Sequence, residues 1–350
     1  MSELSSAENK GHEALNPIHP SLLGRLDPAF VDLYNKHVAN TPNKPIDLGV
    51  LRKIYSRMYS YGTAPAPEAD REWEAKVPGW SKYPGDIAVR VYEPAGEKPS
   101  AGWPVHFDFH GGGWGLGDLE TEAHICRHTC KNSEVVVIDV DYRLVPEFPF
   151  PTGIEDCFAA MQHCLTHASD FHINPAIVTL GGVSAGANIA LIVNHMARDA
   201  GIPVKGVVVG TPTIADLRPV ATAADSPFPS VKEMEFAPTL NWARLKWFDK
   251  IKWESVGDDA GKMRDVKWYA DAATAPSFEG LADLTVVMTA ECDPLRDEGE
   301  AYAKKMEEAG NKVVLKRFPG VPHPFYHMDA DLAQAREFIT DTSHYIKQCH

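Results

Sequence analysis

A chain of 350 residues, 44% of them hydrophobic, can bury a large core without help from metals or disulfides. Its formal net charge of −14 disfavours nucleic acid and anionic lipid surfaces as partners and favours a neutral or cationic small molecule. No apolar run is long enough to span a membrane, residues 1–20 lack the apolar core of a secretory signal, and six cysteines follow no C-x-x-C spacing. A cytoplasmic protein with reduced thiols is the expectation.

In chain order, residues 1–70 read as helical and are punctuated by prolines. From about residue 87, β-branched runs alternate with helical stretches. The strands expected are 87–92, 105–109, 135–140, 177–181, 207–209, 284–289 and 313–318. Helices are expected over 119–131, 154–167, 186–199, 297–309 and 332–347. Such alternation predicts an α/β fold with a mostly parallel central sheet covered by helices on both faces.

One stretch breaks the pattern. Residues 212–275 lack strand signals and concentrate Trp242, Trp247, Trp253 and Trp268. An insertion of this length between two strands points to function. The predicted organisation is therefore a core of 71–211 and 276–350, with a helical cap formed by the amino-terminal segment 1–70 and the insertion 212–275. The cap would cover the carboxyl ends of the strands, where open sheets bind ligands.

Two motifs carry chemistry. Gly182-Val183-Ser184-Ala185-Gly186 stands between a strand and an apolar helix, the setting of a nucleophile elbow, where small neighbours let the serine occupy a sharp turn. His110-Gly111-Gly112-Gly113-Trp114 directly follows the strand 105–109. Consecutive glycines can aim backbone N–H groups at the oxyanion of an acyl-transfer intermediate. His110 is expected to brace that loop.

A serine hydroxyl needs a histidine base, oriented by a carboxylate, in the chain order Ser, acid, His. After the strand 284–289, Asp293 is the best acid; Asp297 and Glu298 read as first-turn helix residues. After the strand 313–318, His323 lies in a loop, while its rival His327 falls where the next helix is expected to begin. His124, Cys126, His128 and Cys130 suggest a metal, but on a helix the histidines and cysteines occupy different faces, so no metal site is expected. No glycine run fits a phosphate or dinucleotide fingerprint, and no cofactor is expected.

These motifs, with Asp141-Tyr142-Arg143-Leu144, Pro146-Glu147, Pro149-Phe150-Pro151 and the run 293–299, resemble the hormone-sensitive-lipase-like α/β-hydrolases, which include many microbial carboxylesterases. The likeness runs from about residue 87 to 344. It implies an α/β-hydrolase fold, oxyanion donors at the N–H of Gly112, Gly113 and Ala185, and catalytic roles for Ser184, Asp293 and His323. Val183, Ala187, Phe148 and Pro324 depart from the family pattern, and Val183 and Ala187 bear on acyl preference.

Trp114, Val183 and Phe325 are expected to contact substrate, and with the cap tryptophans they suggest an apolar or aromatic ester of small to medium size. Lactones, amides and carbamates pass through comparable states, and the residues do not separate them. A lyase or ligand receptor on this scaffold fits less well, because the Ser, Asp and His set is complete. The partners expected are a small-molecule ester and water, and a homodimer is compatible with the sequence.

Overall fold

The computed structural model describes residues 14–42, 47–257 and 267–350. Its strands are β1 (Arg71–Pro78), β2 (Asp86–Glu93), β3 (Trp103–Phe109), β4 (Val136–Asp141), β5 (Ile173–Val183), β6 (Gly206–Gly210), β7 (Leu284–Ala290) and β8 (Val313–Phe318). They form one sheet in the order β1-β2-β4-β3-β5-β6-β7-β8. β2 runs antiparallel to both its neighbours; all other pairings are parallel.

The sequence reading missed β1. Half of its residues REWEAKVP are charged and only Val77 is β-branched, so the short alternation of Trp73, Ala75 and Val77 with Glu72, Glu74 and Lys76 was passed over. The strand is an edge strand held by its ladder with β2 and by the Arg90–Glu74 ion pair at 2.7 Å.

The helices described are α1 (Pro28–His37), α2 (Leu48–Met58), α3 (Ala123–Ser133), α4 (Thr152–Thr166), α5 (Ala185–Asp199), α6 (Pro229–Glu233), α7 (Trp242–Val256), α8 (Arg296–Glu308) and α9 (Ala333–Lys347). Both faces of the sheet are covered. Val136, Ile138 and Val140 of β4 join the core cluster that contains α4, α5 and α8 residues, while Val137 joins the one that contains α1, α3 and α9 residues. The central helix α5 is buried almost all the way round. No helix among the described residues is long and apolar enough to cross a membrane.

The strand order reverses between β3 and β5, which opens a crevice beyond their carboxyl ends. The loop with the glycine run leaves β3 there, and the turn with Ser184 leaves β5. The segment between β6 and β7 contributes α6 and α7, and the amino-terminal stretch contributes α1 and α2.

Candidate active site

Ser184 stands alone between β5 and α5 with φ 57° and ψ −119°. A side chain in that region is strained by about 1–3 kcal/mol, so the surroundings must impose the turn. They do so by close approach. A Cβ on Gly186 would sit 1.7 Å from the Phe109 carbonyl oxygen, and one on Gly182 would sit 2.3 Å from the same atom. Only glycine at both positions lets the turn pass the end of β3. The Ser184 N–H donates to the Gly210 carbonyl at 2.9 Å, fixing the turn to the next strand.

The loops after β7 and β8 bring the other two candidates to it. His323 Nε2 lies 3.1 Å from Ser184 Oγ, and His323 Nδ1 lies 2.8 Å from Asp293 Oδ2. With the buried Asp293 carboxylate accepting from Nδ1–H, Nε2 is left as an acceptor facing the serine hydroxyl. The Leu295 N–H donates to Asp293 Oδ1 at 2.9 Å, and the Thr239 hydroxyl donates to the His323 carbonyl.

The rival residues are occupied elsewhere. Asp297 accepts from the Ser230 N–H and Glu298 from the Ile214 N–H, each at 2.7 Å. His327 does not open a helix; it ends the 3₁₀ turn Phe325–His327, with α9 starting at Ala333. Its Nε2 is 3.5 Å from Glu122 Oε1. Burial holds the imidazole well below its ordinary pKa and lifts the Glu122 carboxyl well above its own, so it disfavours the charged form of each.

The glycine loop is equally constrained. Gly112 and Gly113 have φ 118° and 59°, and a Cβ on Gly113 would sit 2.2 Å from the Phe248 ring. Glu122 Oε2 accepts from the Gly111 N–H at 3.3 Å. His110 donates through Nδ1 to the Gly111 carbonyl at 2.8 Å and stacks on Tyr142 at 4.2 Å, so it braces the loop. Among the described residues, the N–H groups of Gly112, Gly113 and Ala185 meet no intramolecular acceptor.

A family model for the alpha/beta hydrolase fold matches residues 106–327, which hold all of these groups. The chain belongs to the α/β-hydrolase family. An AB hydrolase superfamily protein of Schizosaccharomyces pombe is 32% identical over 344 residues, covering 95% of this hydrolase and 96% of that protein. A carboxylesterase of Mycobacterium tuberculosis is 33% identical over 255 residues, covering 72% and 75%. Among solved structures, an esterase of Pyrobaculum calidifontis superposes with a TM-score of 0.78 at 29% identity, covering 92% of this chain and 98% of that one. The carboxylesterase EstE1 from a metagenomic library reaches 0.74 at 31% identity, covering 87% and 98%. The likeness to hormone-sensitive-lipase-like hydrolases drawn from the motifs therefore holds.

In this hydrolase Ser184 and His323 open into a cavity of about 60 Å³. Trp114 lines it, but Val183 and Phe325 do not, which corrects the sequence reading. Val183 is the last residue of β5, and its side chain packs beneath the sheet with Phe338. Phe325 is fully buried against Phe318 and Phe338. The four tryptophans of the insertion also miss the cavity. Trp253, for example, packs on Phe150 with ring centroids 5.5 Å apart, and Trp268 lies against His195 at 5.2 Å.

Tyr55, Tyr59, Arg244, Phe248 and Lys252 line the cavity in their place. The spacing of Arg244, Phe248 and Lys252, four residues apart on one helix, was the signal that sequence reasoning passed over. His124, Cys126, His128 and Cys130 do not gather among the described residues. Cys126 instead lies with Asp108 and Asp139, their ligand atoms within 4.8 Å and all three buried. Burial pushes both the Asp139 carboxyl and the Cys126 thiol well up, which disfavours the charged forms that a metal would need.

Proposed function

We propose that the chain is a serine carboxylesterase acting on small-molecule esters and water. Ser184 Oγ attacks the ester carbonyl as His323 Nε2 takes its proton, and the Asp293 carboxylate stabilises the imidazolium. The N–H groups of Gly112, Gly113 and Ala185 hold the oxyanion. His323 then protonates the departing alcohol, and a water activated by the same imidazole releases the acid from the acyl-serine.

The hydrogen-bonded line from Asp293 through His323 to Ser184, opening into a cavity beside unpaired N–H groups, carries this reading. Segments 1–70 and 212–275 act as a cap over the core of 71–211 and 276–350. What supports this is that Tyr55 and Tyr59 from the first segment and Thr213 and Phe248 from the second form cavity walls. Ser184→Ala should lower turnover of a simple ester by about four to six orders of magnitude. Near wild-type hydrolysis by that variant would remove the assignment.

A further inference from the structure

We propose that this hydrolase selects short esters bearing a free carboxylate, such as half-esters of dicarboxylic acids, which Arg244 binds with Lys252 adding positive field. The inference deepens the esterase reading and rests on it.

The cavity wall built by α7 carries two cations, Arg244 and Lys252, against one anion, Asp249, on a strongly acidic protein. Arg244, Phe248 and Lys252 recur every four residues along α7, so they form one stripe, and all three line the cavity with Ser184 and His323. Phe248 is the ring against Gly113 of the glycine loop. Arg244 and Lys252 therefore stand one turn to either side of it, each about 6 Å along the axis.

These charges are incompletely matched. Arg244 Nη1 reaches the Tyr59 hydroxyl at 3.3 Å and the Thr239 carbonyl at 3.5 Å; among the described residues no carboxylate pairs with its guanidinium. Lys252 Nζ is 4.0 Å from Asp249 Oδ1. That carboxylate also accepts from Trp253 Nε1 at 2.8 Å and faces Lys246 Nζ at 3.4 Å. Arg218 and Asp216 nearby neutralise each other in a 2.5 Å pair. Among the described residues, Asp249 is the one carboxylate within ion-pair distance of Lys246 and Lys252, and none pairs with Arg244; Asp216 and Glu298 face Lys252 from farther away.

Lys252 is almost fully buried, its Nζ 4.3 Å from the centroid of Trp114 and 4.9 Å from that of Trp253. Burial pushes its pKa down to about 8, which leaves it mostly protonated at neutral pH. Buried cations of this kind are costly without an anion, and an apolar ester supplies none. The overall charge of −14 pointed to a neutral or cationic ligand. The local field over Ser184 points the other way.

The test compares kcat/KM for monoethyl glutarate and ethyl hexanoate, which differ mainly in the distal carboxylate. The wild type should prefer the half-ester by roughly 10- to 100-fold, the range of a charge-assisted hydrogen bond. Arg244→Gln should collapse that ratio, and Arg244→Lys should keep most of it. The preference should fade as pH rises through about 8, where Lys252 loses its charge and Glu298, pushed up to about 8, gains one; Asp249, Asp216 and Arg218 also face Lys252.

Calorimetry on the Ser184→Ala protein separates this proposal from the esterase reading. It should bind monoethyl glutarate more tightly than ethyl hexanoate, and Arg244→Gln should erase the difference. If that holds while the wild type hydrolyses neither ester, the esterase reading fails and the anion site stands. A wild type that prefers ethyl hexanoate, an Arg244→Gln variant that slows both esters equally, or equal binding of both ligands would overturn the proposal.

Discussion

Two regions meet at Ser184, and they are built differently. Below it, the ends of β3 and β5 are so close that Gly182 and Gly186 have no room for a Cβ, and the geometry lies in the backbone. Above it, α2 and α7 present tyrosines, a phenylalanine, an arginine and a lysine, and the character of the wall lies in side chains. The floor tolerates almost no substitution, whereas the wall can be rewritten without moving the chain. Chemistry common to a family belongs on the first kind of surface and selectivity on the second.

The contrast can be broken from either side. Apart from the loss of Ser184 itself, the largest effect should come from Asp293→Asn. This keeps the shape but makes an amide the partner of His323 Nδ1 and favours the wrong tautomer, so turnover should fall by about 10⁴ in steady-state assays. Gly186→Ala comes next. The added methyl has to displace the Phe109 carbonyl, and thermal or urea unfolding should show a loss of about 3 kcal/mol or more, with activity falling too. Gly24→Ala is the control, because nothing lies within 4 Å of its added Cβ, and its change should stay within about 0.5 kcal/mol. On the wall, Arg244→Gln should change a ratio between substrates far more than it changes stability.

The same contrast explains what could be read from the residues alone. The floor was legible because steric necessity leaves a short local signature: glycines at 182 and 186 around Ser184, three glycines after β3, and Asp293 and His323 in the loops after β7 and β8. The strands β2 to β8 were legible through their apolar, β-branched runs. The edge strand β1 was not picked out, although Trp73, Ala75 and Val77 alternate with charged residues, because that apolar face is short and only Val77 is β-branched.

The wall was misread for a related reason. Tryptophan content suggested an aromatic pocket, but large rings are also what a small helical segment uses to pack on the core, as Trp253 and Trp268 do. Likewise, adjacency in sequence put Val183 and Phe325 beside the substrate. At the end of a strand, neighbouring side chains point to opposite faces, which sends Val183 below the sheet. Which residues of α2 and α7 face Ser184 depends on contacts distant in sequence.

The most direct test of the account is covalent trapping with an activated organophosphonate ester followed by peptide mapping. The serine whose hydroxyl His323 activates should take up one phosphonyl group with loss of the leaving group, at Ser184 alone and in step with loss of ester hydrolysis. Labelling at another residue, or hydrolysis that survives full modification of Ser184, would contradict it.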